Sequence, residues 1–125
     1  MLHILLATTR PEAMRSFTDA LLSDSEVHLA YAAAGSEALN GVSASPPHLV
    51  IVDSGLPDTE PLELISRLLR VNAMVNTAVV SSLSEEEFHE ASEGLGVLGR
   101  LPGAPGSQDA LDLLKKLRMV VGLPV

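Results

Sequence analysis

His48–Asp58, HLVIVDSGLPD, decides the reading of this chain. Leu49, Val50, Ile51 and Val52 run without a polar break into Asp53, and a Ser-Gly-Leu-Pro turn follows. So short an aliphatic run, with no alternation, predicts a strand buried on both faces, as in a parallel sheet. In open α/β sheets, binding and catalytic groups collect just past the carboxyl ends of such strands. Asp53 therefore has two readings: a functional carboxylate, or a residue that caps loop N–H groups.

The segments on either side repeat the same grammar. Before the central run, His3–Ala7 reads as a first strand, and Pro11 in a first helical turn opens a helix whose buried stripe is Met14, Phe17 and Leu21. Val27–Ala32 is a second strand, and Gly35-Ser36 opens a short helix with Leu39 and Val42 inward. Ser43–Pro47 is a breaker cluster leading into the third strand, Leu49–Asp53. After it, a helix from near Thr59 to Val71, with Pro61 in its first turn, turns Leu62, Ile65, Leu68 and Leu69 inward. Thr77–Ser82 is a fourth strand, and Ser84-x-x-Glu87 is a capping-box signature for a helix with Phe88 and Ala91 inward. Val97–Leu101 is a fifth strand. A last helix from Ser107 sets Leu111, Leu114, Leu117 and Val121 on one face. The sum is (βα)5, a parallel sheet sandwiched between helices, in one domain over residues 1–125.

Composition narrows the function classes. A chain of 125 residues with 46% hydrophobic residues has enough apolar surface for one core, and with only Phe17, Tyr31 and Phe88 as aromatics that core is aliphatic. The sequence has no cysteine, which excludes disulfides and thiolate metal sites and leaves a reducing, cytoplasmic compartment as the expectation. The amino terminus has no basic region and no cleavage site, and no run approaches a membrane span, so no membrane partner is expected. A net charge of −8 argues against nucleic acid as a direct partner. The last helix is read as ending at Leu-Pro-Val, and no DNA-binding output domain is expected in this sequence.

With the elements in order, the chain resembles a two-component receiver domain, the phosphoacceptor module of response regulators, over nearly its whole length. The likeness rests on HLVIVDSGLPD, on AVVSS at the fourth strand and on VLGRLP before the last helix. It implies the flavodoxin-like (CheY-like) doubly wound sheet, strand order 2-1-3-4-5. It also implies that Asp53 matches the phosphoacceptor aspartate. Gly55 matches the residue whose carbonyl touches Mg²⁺, Ser81 the hydroxyl that bonds the phosphoryl group, and Ser82 the small residue beside it.

Five positions depart from the family. Its acidic pair, which holds Mg²⁺, falls on Thr8 and Thr9; hydroxyls with one carboxylate make a poor site for an ion that favours anionic oxygen. Its lysine falls on Gly103, and the proline after it on Ala104. Its switch aromatic falls on Arg100. Loss of one group that stabilises a transferring phosphoryl costs on the order of 10²–10³ in rate. The resemblance therefore implies a degenerate, or pseudo-, receiver with weak or absent Mg²⁺ binding, no enzymatic activity beyond residual phosphoacceptance, and output through protein–protein interaction. Its partner is then a sensor kinase or an output protein.

The remaining charged residues have two readings each. Thr8 and Thr9 lie where a strand meets a helix start, which reads first as capping and second as an anion site. Arg10 reads as a solvated loop arginine; the alternative is that it swings toward Asp53 and replaces the missing metal charge. Glu85, Glu86, Glu87, Glu90 and Glu93 make a solvated helix face or a docking surface. With Arg100, Lys115, Lys116 and Arg118 that surface suits a symmetric dimer through the fourth helix, fifth strand and last helix. His3, His28, His48 and His89 are scattered one per element, without ligand spacing, and read as strand-edge or surface residues and not as metal ligands. The alternatives are a genuine atypical phosphoacceptor on Asp53, helped by Asp58 or Glu60, and a flavin or cobalamin binder, which the lack of a glycine-rich loop and of stacking aromatics disfavours.

Overall fold

The computed structural model describes residues 1–122; the closing Leu-Pro-Val lies outside the described residues. Strands β1 (Leu2–Ala7), β2 (Val27–Ala32), β3 (Leu49–Val52), β4 (Asn76–Val80) and β5 (Gly99–Leu101) alternate with helices. These are α1 (Arg15–Leu22), α2 (Gly35–Ala44), α3 (Pro61–Val71), α4 (Glu85–Ala91) and α5 (Ser107–Val121). The strands form one parallel sheet in the order 2-1-3-4-5, as expected from the resemblance.

Strand parity decides which helix covers which face. Leu2, Ile4 and Leu6 of β1, with Leu49 and Ile51 of β3, pack against Met14, Phe17 and Leu21 and against Leu113, Leu114 and Leu117 of α5. Leu5, Ala7, Val50 and Val52 point the other way, onto α2, α3 and Phe88 of α4. All four β3 residues are buried because the strand is central and covered on both sides. Fully burying each such side chain stabilises by roughly 1.5–3 kcal/mol, so this run anchors both layers.

The differences from the sequence reading are local. Pro11–Met14 forms a 3-10 turn before α1, and β4 stops at Val80, so Ser81 and Ser82 lie in the loop. Asp53 lies just beyond β3, and β5 begins only at Gly99. In α3 the buried residues are Leu64, Ile65 and Leu68, with Leu62 and Leu69 at the margin. Ala91 is exposed, because α4 ends there after a single inward residue, Phe88. Leu111 is exposed as well: α5 turns Ala110, Leu113, Leu114 and Leu117 inward, a stripe rotated by one residue. Three of the four histidines come together, while His89 stays apart on α4. His3, His28 and His48 stack side by side across neighbouring strands, with ring centroids 5.3 and 5.8 Å apart.

Candidate functional site

The carboxyl end of β3 delivers Asp53 into the sheet's upper edge, where its N–H donates to the Ala7 carbonyl and its side chain is 0% exposed. An ionised carboxylate without water costs several kcal/mol unless opposite charge and hydrogen bonds offset it. Here four hydrogen bonds do so. Oδ2 accepts from Thr8 Oγ1 at 2.7 Å and from Arg10 Nε at 2.8 Å. Oδ1 accepts from Arg10 Nη2 at 2.9 Å and from the Ser54 N–H at 2.8 Å. The Arg10 pair is bidentate, the strongest geometry available to a guanidinium and a carboxylate.

The local sequence explains how Arg10 arrives there. Thr8 still pairs with β2 through its N–H to the Ala32 carbonyl, and it is buried. Its hydroxyl accepts from the Arg10 N–H at 3.1 Å, closing a tight turn through Thr9. Pro11 disfavours helical geometry in the residue before it, and Arg10 takes φ −134° and ψ 60°. The side chain is thereby aimed back over the sheet instead of along the coming helix. Arg10 Nη2 also donates to the Gly103 carbonyl at 2.6 Å. One guanidinium thus ties the loops after β1, β3 and β5. Its pKa is raised, chiefly by the hydrogen bond to Asp53 and further by that residue's charge.

Arg10 is therefore not a solvated loop arginine, and Thr8 is not a helix cap: the hydroxyl donates to Asp53 and accepts from Arg10. Thr9 is exposed. Gly55 has φ +82°, a left-handed conformation that glycine adopts without strain. Ser81 and Ser82 share with Ser54, Leu62, Phe88 and Gly103 an open cavity of about 290 Å³, which Asp53 itself does not line. The Ser81 hydroxyl accepts from the Leu83 N–H at 3.1 Å, and no hydrogen bond joins it to Asp53.

Asp58 is committed elsewhere. Its oxygens accept from the Gly35 and Ser36 N–H groups at 2.8 and 3.0 Å, capping the start of α2. Those backbone bonds hold its pKa below the ordinary carboxylate value. Gly35 is required at this contact, since a Cβ there would lie 2.6 Å from Thr59 Cγ2 and 3.1 Å from Asp58 Oδ1. The donor set around Asp53 does not fit Mg²⁺, which favours several anionic or carbonyl oxygens. The carboxylate's two oxygens are already held by Arg10, Thr8 and Ser54, and its neighbours at the acidic-pair positions are neutral.

Arg100, which the resemblance matched to the switch aromatic, is half-buried. Its Nη1 donates to the Ser81 carbonyl at 3.3 Å, and its Nη2 lies 3.9 Å from Glu85 Oε1. Its Nε is buried without a partner. Arg118 pairs with Asp24 instead of facing solvent. The acidic start of α4 closes the capping box read from the sequence: Ser84 Oγ accepts from the Glu87 N–H, and Glu87 accepts from the Ser84 N–H.

The fold is that of response-regulator receiver domains, the CheY-like form of the flavodoxin-like sheet. The chain superposes on a CheY-like receiver domain from Methanospirillum hungatei with a TM-score of 0.82 at 20% identity, covering 98% of each chain. It is similar to the N-terminal domain of an uncharacterized protein from Wolinella succinogenes, with a TM-score of 0.80 at 21% identity and 97% of each chain covered. The response regulator domain of Thermotoga maritima CheB aligns over 100% of this chain and 99% of its own, with a TM-score of 0.76 at 20% identity. No protein-family model matches the sequence, and no curated protein matches it. Among the described residues no helix is long and apolar enough to cross a membrane.

Proposed function

We propose that the chain is a receiver-fold signalling module that works without phosphorylation, because its own Arg10 neutralises the phosphoacceptor-position carboxylate. The bidentate Arg10–Asp53 pair carries this reading. A nucleophilic carboxylate needs a free oxygen lone pair and a cation that engages the incoming phosphoryl group. Here the cation is spent on the nucleophile itself, and Thr8 and Ser54 N–H hold the same two oxygens. Arg10 thus substitutes for the charge of an absent metal and lysine while blocking the chemistry they serve.

The output is protein–protein interaction in the cytoplasm, with a sensor kinase or an output protein as partner. The chain acts as a single domain over residues 1–125, without Mg²⁺ and without binding nucleic acid or membrane. The face of α4, β5 and α5 is the docking surface and a route to a homodimer. It carries Arg100, Lys116 and the α4 glutamates, charges of both signs suited to a salt-bridged partner.

Incubation with acetyl phosphate and Mg²⁺, followed by intact-mass measurement, tests the reading. The expected result is no added phosphoryl mass on the wild type. Stoichiometric labelling of Asp53 would instead establish a genuine phosphoacceptor in which Arg10 turns onto the phosphoryl oxygens.

A further inference from the structure

At the end of the sheet opposite Asp53, the strand register lines up three imidazoles. His3 pairs with His28 across β1 and β2, and His48 precedes β3 beside His3, its N–H bonded to the His3 carbonyl. The rings stack in one row, with centroid spacings of 5.3 and 5.8 Å and planes 30° and 12° apart. His3 and His28 line an open groove of about 260 Å³, whose other walls include Leu5, Ala30, Gly41 and Pro47.

The three rings are not equivalent. His48 Nδ1 accepts from the His3 backbone N–H at 3.0 Å, so neutral His48 carries its ring proton on Nε2 and presents no free lone pair. His3 and His28 are exposed, and among the described residues neither ring makes a hydrogen bond. Their lone pairs are therefore unclaimed.

We propose that His3 and His28 form a two-imidazole site for a borderline divalent transition ion of the Zn²⁺ class, with water completing its coordination. Neutral imidazole suits such ions, whereas Mg²⁺ and Ca²⁺ select oxygen. Parallel neighbours lie about 4.8 Å apart, and two nitrogens each about 2.1 Å from one ion are closer than that. Binding therefore turns the two exposed rings toward each other, out of the stack, while His48 stays fixed by its bond to the backbone. No third carboxylate, histidine or cysteine converges on the pair among the described residues, so the site is open and of modest affinity. The ion cross-links β1 to the edge strand β2 and stabilises the fold by mass action.

Zn²⁺ titration of the whole chain, followed by calorimetry and imidazole NMR, is the test. Zn²⁺ is the probe because neutral imidazole is one of its ordinary ligands. Zn²⁺ is expected to bind one-to-one, raise the melting temperature and shift the His3 and His28 rings. His3→Gln and His28→Gln should each weaken binding by more than about ten-fold, direct ligands mattering at least as much as residues that support one. His48→Gln should leave binding within a few-fold, and Mg²⁺ should produce no ring shifts. No binding to the wild type, or equal binding by a folded His3→Gln/His28→Gln double variant, would overturn the proposal.

Discussion

Replacing Arg10 with alanine probes the internal cation most sharply. Asp53 would keep its bonds from Thr8 and Ser54 N–H but lose both guanidinium contacts, and the Gly103 carbonyl would lose its donor. Hydrogen bonds to charged groups contribute roughly 1.5–3 kcal/mol each, and removing one partner of a buried pair costs about 3–5 kcal/mol. The Arg10 side chain is 38% exposed, so water enters the vacated place and screens the orphaned carboxylate. That lowers the expected loss to about 2–3 kcal/mol. For a domain of this size it corresponds to a fall of roughly 10 °C in melting temperature. Asp53→Asn should cost less, because the released guanidinium can turn to solvent whereas an unpaired buried carboxylate cannot. The Arg10→Ala/Asp53→Asn double variant should be about 1 kcal/mol more stable than Arg10→Ala alone, and urea denaturation of all four proteins gives the coupling through a double-mutant cycle. An Arg10→Ala protein within about 0.5 kcal/mol of wild type, the range of ordinary surface substitutions, would refute the reasoning.

Rebuilding the missing charges should restore what Arg10 displaces: Thr8→Asp/Thr9→Asp/Gly103→Lys in an Arg10→Ala background should gain Mg²⁺ binding and acetyl-phosphate labelling. Failure of a folded variant to label would mean that something besides charge disables the pocket. Gly35→Ala should lose about 1–3 kcal/mol, since the new Cβ meets Thr59 Cγ2 and presses on the Asp58 cap, a cost that denaturation would register. Asp24, Asp58 and Glu87 all have pKa values held down: by the Glu26 N–H and Arg118, by the Gly35 and Ser36 N–H groups, and by Ser84. Their contribution is therefore fully present above their unfolded values, near pH 4, and is lost as pH falls through the lower folded values. Acid unfolding should accordingly begin below about pH 4 and shift to higher pH in Ser84→Ala.

The fold was legible because its signals are local and redundant. The unbroken run at Leu49–Val52, the proline-opened helices and the Ser84–Glu87 capping box each announce themselves within a few residues. Helix faces were less secure where apolar residues are abundant: Leu111 and Leu114 differ by three positions and fit one stripe, yet packing against α1 selects Leu113 and Leu114 instead. The acid at the strand end was also legible, since β3 ends one residue before it.

Its counter-charge was not legible in the same way. Arg10 lies 43 positions from Asp53 and 93 from Gly103, and only the strand order, with β1 beside β3 and β5 beyond β4, brings the three together. The local hint was the Thr-Thr-Arg-Pro sequence, in which proline withholds helical geometry from the arginine. The histidine row was hidden for a similar reason. Spacings of 25 and 20 residues carry no motif, and they become adjacency only through parallel register.

The central claim is that Asp53 is held permanently by Arg10 and does not act as a phosphoryl switch. Beryllofluoride, which mimics a phosphoryl group on aspartate, titrated with Mg²⁺ and followed by amide and arginine side-chain NMR, tests it most directly. The account predicts an Arg10 Nε–H signal that is protected at the outset and unmoved at millimolar ligand, with no shifts at Asp53, Ser81 or Arg100. Concerted shifts at those three residues, with release of the Arg10 signal, would contradict it.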